Sequence, residues 1–286
     1  MDSDGFVGLR YWTPPEQLRD YFGSIYMFTV NRDQYEDMTR ADMPQLRFML
    51  SGGGYYTFST GERMDTHEVC MLGATMGATR FNLFDRTLAF GVSVLPLGWI
   101  GLGCDSADAW INQGYDAVER HGPQYASMLE TLRSTRDPDA AVTQLWAFLA
   151  AQLNPVPDET RDMVRIIDTW LSENNNPDIE DLITATGLSP RQVARHTNRL
   201  YGAPPKLLAR KYRALRCAAQ IVIDRKNWRE LCEEGTFYDQ PHFIREIKQF
   251  LGLTPHQLLS DPTEVARLTV QRRALTGLMS ELNRIS

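Results

Sequence analysis

Eight basic side chains and no acidic one lie between Ser189 and Arg216. Three of them, Arg191, Arg195 and Arg199, recur at every fourth position, the spacing that lines side chains up on one face of a helix. A second set, Gln240, His242 and Arg245, sits on the polar side of another periodic stretch, "FYDQPHFIREIKQFLGLTPHQL", Phe237–Leu258. These residue types suit the reading of base edges. Arg pairs bidentately with guanine and Gln with adenine, while basic side chains and helix N-termini hold phosphates and fix the register. Lys206, Arg210 and Arg213 share one face of the segment between the two sets and are candidates for phosphate contact.

The elements that must position these side chains are legible from their ends. In "DIEDLITATGLSPRQVARHTNRLY", Ile179, Leu182 and Ile183 make a short apolar stripe. Gly187 ends the first helix, Leu188 fills the turn, and Ser189-Pro190 supplies a cap and a first-turn proline for the next. The result is a helix-turn-helix with Val193 and Leu200 facing inward. "WRELCEEGTFYDQPHFIREIKQF" repeats the layout: a helix over 228–234, a turn at 235–237, a cap at Asp239, and a helix closed by Gly252. Phe243, Ile247, Phe250 and Leu251 are its core stripe. Between the units, "PPKLLARKYRALRCAAQIVI" predicts a linker helix with Leu208, Tyr212, Leu215, Ala219 and Val222 on its apolar side. A helix of about 18 residues spans roughly 27 Å, close to the roughly 34 Å between successive major grooves on one side of B-DNA. One chain therefore has the reach to place two short helices in adjacent grooves.

The remainder of the 286 residues bounds the answer further. The apolar share, 43%, is that of a globular protein, and the length suggests about two domains. The net charge of −6 conceals an asymmetry: residues 1–157 carry 11 basic and 19 acidic side chains, residues 158–286 carry 19 and 17. A basic cluster beside an acidic half points to an anionic partner. Residues 1–157 form one expected unit, 158–260 a second, and 261–286 a C-terminal extension with Val265, Leu268, Leu275, Leu278 and Leu282 at amphipathic spacing. "NPVPDE" is the linker before the helical half. No apolar run reaches the length of a membrane helix, and "MDSDGFVGLR" lacks a signal-peptide core, so a cytoplasmic protein is expected. The four cysteines show no CxxC pair and are expected to be reduced thiols.

Residues 178–260 resemble the C-terminal DNA-binding domain of the AraC/XylS family of bacterial transcription regulators. "LSPRQVARHTNRLYGAPPKLLARKYRALRCA" and "FYDQPHFIREIKQFLGLTPHQL" carry the resemblance, the second containing the family signature. It implies seven helices, two recognition helices, and binding to asymmetric half-sites in promoter DNA. By position, the base-contacting residues fall on Arg191, Ala194 and Arg195 in the first unit and on Gln240, Pro241, His242, Ile244 and Arg245 in the second. Thr197 stands where the family has a buried Phe, and Thr236 where it has Gly.

The front half reads as strands with alternating apolar and polar residues, an antiparallel sheet with one covered face. "LRFML" and "YYTFS" flank "SGGG", which predicts a hairpin turn. Several short strands suggest a small barrel or sandwich, and the half resembles the cupin-like sensor domain found ahead of such DNA-binding domains. The fold expected overall is α+β: an N-terminal cupin-like antiparallel barrel or sandwich with helices, then an all-α domain with two helix-turn-helix units joined by a linker helix. Phe48, Tyr56, Phe58, Phe81, Phe90 and Trp99 are the aromatics expected to line a pocket for a small apolar or aromatic effector, or else to fill the core. The Leu/Met/Trp stripes of 123–133 and 140–153 suit packing on the barrel or a homodimer. RNA polymerase is a further expected partner; control by a docking protein is the alternative to a small effector. No metal or other cofactor and no catalysis are expected. His67 and Glu68 point to opposite faces of a strand and are poor co-ligands, and His121 is distant in sequence, so a cupin-like metal enzyme is only a remote alternative.

Overall fold

The computed structural model describes residues 6–173, 175–231 and 237–269. The sheet half runs β1 (Val7–Trp12), β2 (Phe22–Val30), β3 (Gln34–Thr39), β4 (Gln45–Thr57), β5 (Arg63–Asp65), β6 (Val69–Leu72), β7 (Thr79–Val94), α1 (Pro96–Gly101), β8 (Gly114–Asp116), α2 (Ala117–His121), α3 (Gln124–Ser134) and α4 (Pro138–Gln152). The helical half follows: α5 (Asp158–Glu173), α6 (Ile179–Thr186), α7 (Pro190–Tyr201), α8 (Pro205–Val222), α9 (Trp228–Leu231), α10 (Gln240–Leu251), α11 (Pro255–Ser260) and α12 (Glu264–Thr269). The class is α+β, as expected.

One antiparallel sheet, ordered β1-β2-β7-β4-β6-β8, forms the first half; β3 also pairs with β7, and β5 with β4. It is not a closed barrel. β7 pairs β3 along Thr79–Phe84 and β2 beyond Thr87, so the sheet bends into two lobes. The bend explains "SGGG". These residues form no hairpin turn: they lie inside the continuous strand β4, where the register with β7 shifts between Met49 and Gly53. Gly52 takes φ +72°, and a Cβ on Gly54 would collide with the Asn82 carbonyl. The glycines thus kink a strand and let a neighbour approach closely. Across the bend Tyr56, Phe81 and Leu83 share a cluster with Val7, Val30 and Cys70, in the manner of a sandwich.

Both sheet faces are covered, not one. Phe48, Phe90, Val92, Leu46 and Ile25 face the α3–α4 layer, where Met128, Leu129, Leu132, Leu145, Trp146 and Leu149 are buried against them. Arg47, Met49, Ala89, Tyr26 and Phe28 face the opposite way, toward the helical half. The core of that half extends onto the sheet's loops through Ala41, Met43, Ala74 and Met76.

Polar contacts from α5, α8 and α10 help fix the helical half on the sheet half. Ala41 N donates to Phe250 O at 2.6 Å and Ala78 N to Gln249 O at 3.1 Å, satisfying carbonyls at the C-terminus of α10. Lys211, on α8 and buried, donates to Asp42 O at 2.7 Å. Arg161 of α5 hydrogen-bonds the Tyr21 hydroxyl.

Within the helical half, Tyr201 at the end of α7 hydrogen-bonds Asp168 of α5 at 2.6 Å. Burial pushes the Asp168 carboxyl up to about 7; the Tyr201 hydroxyl opposes the shift and Asp20 adds to it. A carboxyl whose folded pKa is raised binds more protons folded than unfolded between about pH 4 and 7, so its contribution to stability falls as pH rises through that window. Asp168→Asn is expected to remove this fall. Urea unfolding of both proteins at several pH values checks it, the variant gaining on the native protein as pH rises from 4 to 7.

Candidate nucleic-acid interface

The first unit forms through the signals its sequence carries. Asp178 caps α6 by accepting from Glu180 N, and Gly187 closes it at φ 65°. Ser189 and Gln192 make a reciprocal capping box at the start of α7, with Pro190 at its first position. Val193 and Leu200 are buried, while Arg191, Arg195 and Arg199 are exposed in one row. Their charge reaches His196, whose imidazolium is disfavoured by burial and then by Arg195 and Arg199. Ala194 is half-buried. Thr197 is fully buried, and its hydroxyl donates to Ala194 O at 3.1 Å, so the polar atom that replaces a Phe is satisfied within the helix.

The second unit is built on α10. Asp239 accepts from His242 N at 2.7 Å, Pro241 lies in the first turn, and Gly252 ends the helix at φ 79°. Phe243, Ile247, Phe250 and Leu251 are buried. A helix of 12 residues is marginal by itself; burying each of these side chains is worth roughly 1.5–3 kcal/mol, so packing rather than propensity holds it. Gln240, Pro241, Arg245 and Lys248 are exposed, and Ile244 is half-buried. Thr236 lies outside the described residues, as does most of the turn expected before α10.

Glu246 is the residue the sequence reading missed. It lies on α10 with its side chain 1% exposed. Arg210 Nε approaches its Oε1 at 2.5 Å, Arg213 Nη2 its Oε2 at 2.8 Å, and His242 Nε2 its Oε1 at 3.2 Å. Burial raises the Glu246 carboxyl, but hydrogen bonds from Arg213 and Arg210 outweigh it and the net shift is downward. The structure therefore pairs three expected DNA contacts with Glu246: Arg210 and Arg213 clamp the linker helix to α10, and His242 meets the same carboxylate from within α10. Arg210 also donates to Gln249 Oε1 at 3.2 Å, and Arg213 to Asn176 Oδ1 at 2.9 Å. Of the three basic residues assigned to phosphate on α8, Lys206 is the exposed one. The missed signal was an acid on the inner side of α10, 36 residues from Arg210.

The aromatics expected to line a pocket divide by sheet face. A cavity of about 150 Å³ lies between the sheet and the helical half, and Tyr56 and Phe81 line it. Phe48, Phe90 and Trp99 belong to the α3–α4 core instead, and Phe58 packs in the cluster at the bend without reaching the cavity. α8 supplies the opposite wall with Leu215, Ala218, Ala219 and Val222. Among the described residues no group of His, Cys, Asp or Glu is arranged to hold a metal ion. His67 instead lies 3.7 Å from Asp116, and Glu68 accepts from Arg133. Among the described residues no helix is long and apolar enough to cross a membrane.

The helix-turn-helix of α6 and α7, and a second exposed, basic and amide-bearing helix at α10, are features of a DNA-binding transcription regulator. A family model described as a helix-turn-helix domain matches residues 182–261. No curated protein matches the chain in sequence. Among solved structures the chain is similar to ToxT from Vibrio cholerae with an unsaturated fatty acid bound, at 10% identity and a TM-score of 0.46, over 83% of this chain and 97% of that one. It is similar also to ToxT from the same organism bound to (E)-4-(8-methylnaphthalen-1-yl)but-3-enoic acid, at 10% identity and a TM-score of 0.44, over 81% and 98%. The AraC-like transcriptional activator CuxR matches at 11% identity and a TM-score of 0.33, over 75% and 88%.

Removing one partner of a buried ion pair strands the other charge, at a cost of roughly 3 kcal/mol. Glu246→Ala is expected to lower the urea unfolding free energy by about that amount, and Arg213→Ala by less, whereas Lys206→Ala leaves it unchanged. Equal, near-zero effects of all three would contradict the clamp.

Proposed function

We propose that the protein binds promoter DNA with α7 and α10 in adjacent major grooves and regulates transcription in response to a small molecule held between its two halves. The observation that carries the reading is the solvent exposure of Arg191, Arg195 and Arg199 on α7 and of Gln240 and Arg245 on α10, outside a fully packed helical core. Arg195 and Arg245 are the base readers, Lys206 holds phosphate, and the half-buried Ala194 and Ile244 offer apolar contact to thymine methyl groups. On this reading residues 1–157 are the regulatory unit, 158–260 the DNA-binding unit, and 261–286 an extension.

Arg195→Ala or Arg245→Ala is expected to cost roughly 1–3 kcal/mol on the cognate site and to relax base preference there. Lys206→Ala should weaken all sequences alike and flatten the salt dependence. Titration against cognate and random duplexes separates these outcomes; equal losses on both for Arg245→Ala would remove it as a reader.

Arg47 supports the second half of the proposal. It lies on the cavity wall, donates to the Tyr26 hydroxyl at 2.9 Å and stands 5.1 Å over the Tyr56 ring. Gly91 leaves room for this: a Cβ there would collide with the Tyr26 ring. Among the described residues Arg47 forms no salt bridge, although the Asp42 carboxylate and the Arg40 guanidinium line the same cavity. A desolvated guanidinium without a counter-ion is costly, and an anionic ligand group offsets that cost. The effector is therefore an apolar molecule with an acidic group, the chemical class of the acids held by the two ToxT structures.

Oleic acid is expected to raise the melting temperature, and oleyl alcohol to do so much less. In Arg47→Met the two should converge. No shift with either would favour control by a protein partner.

A further inference from the structure

We propose that the segment after the helix-turn-helix domain is a structural wall of the effector site, latched to the sheet by Asp37, and that it sets how long a ligand the cavity accepts. The proposal rests on the effector reading above.

The sheet register orders the cavity along its length. Arg47 stands opposite Gly91, Gly91 opposite Tyr26, and Tyr26 opposite Tyr11. Two residues along, Met49, Ala89, Phe28 and Leu9 form the next row across the same face. Two further along, Thr87 stands opposite Val30, and Val30 opposite Val7. At 3.2–3.4 Å per residue, Thr87 lies roughly 13 Å from the row that holds Arg47. The cationic end and the far end are thus separated by an apolar middle.

α12 covers the far end. Val265 is buried in the cluster with Val7, Val30, Phe81 and Leu83, and Val265, Ala266 and Thr269 line the cavity. Its attachment is specific. The Val265 amide donates to Asp37 Oδ2 at 2.9 Å, in a buried contact between residues 228 apart. Asp37 is itself 7% exposed and further fixed by the Tyr35 hydroxyl at 2.6 Å and the Met38 amide at 2.6 Å. The carboxylate organises both the β3 edge and the first turn of α12. A ligand whose acid meets Arg47 directs its other end at Ala266 and Thr269, so these side chains limit its length, and Asp37 holds them there.

The test uses the full chain with Ala266→Trp and Asp37→Ala, dansyl-undecanoic acid as probe, and displacement by saturated fatty acids of increasing length. Ala266→Trp is expected to move the optimum to shorter acids while the shortest bind as in the native protein. Asp37→Ala is expected to speed probe dissociation about tenfold, the worth of one hydrogen bond to a charged group. An unchanged length optimum in a folded Ala266→Trp protein overturns the proposal. Failure of the native protein to bind any acid would be the failure of the effector reading. The latch is then judged without ligand, by hydrogen exchange at the Val265 amide: protection in the native chain that is lost in Asp37→Ala supports it, and an unprotected native amide overturns it.

Discussion

Successive residues of a strand point to opposite faces of a sheet, and the architecture of this protein depends on that alternation along β4 and β7. Leu46, Phe48, Phe90 and Val92 are given to the α3–α4 layer; Arg47, Met49, Ala89 and Gly91 are given to the cavity and the helical half. A slip of one register step would exchange the two sets, placing Arg47 in an apolar core and exposing Phe48 and Phe90. The bend at Gly52–Gly54 preserves the alternation on each lobe while bringing Tyr56 within reach of Arg47.

The DNA-binding half shows the same economy with charge. Its basic residues have two different tasks. Arg191, Arg195 and Arg199 remain in water on α7. Arg210 and Arg213 instead neutralise Glu246 and weld α8 to α10. The linker helix therefore sets the spacing of α7 and α10 through ion pairs as well as through Leu208, Tyr212 and Leu215. Since α8 also forms one wall of the cavity, a molecule bound there touches the element that spaces the two units.

Local signals made the helix-turn-helix units legible. Ser189, Gly187, Asp239 and Gly252 act on backbone within a few residues of themselves, and each takes the capping or terminating role its type favours. What sequence reading lost was non-local. Glu246 attracts cations 33 and 36 residues away, so Arg210 and Arg213 look like solvated phosphate binders until the helices are packed. The pocket aromatics divided between cavity and core for a related reason: composition identifies Phe48 and Phe81 alike, but only register says which face each occupies. "SGGG" was ambiguous because glycine serves turns and strand bends equally well. Asp37, far from any motif, became visible only through its contact with Val265.

On the proposed reading, one chain engages two successive major grooves on the same side of a duplex. Methylation-interference footprinting on a native operator fragment tests it most directly. Two clusters of interfering purines are expected about 10 base pairs apart on one face of the DNA, with the cluster under α10 lost in Arg245→Ala and the other retained. A single cluster, or two on opposite faces, would contradict it.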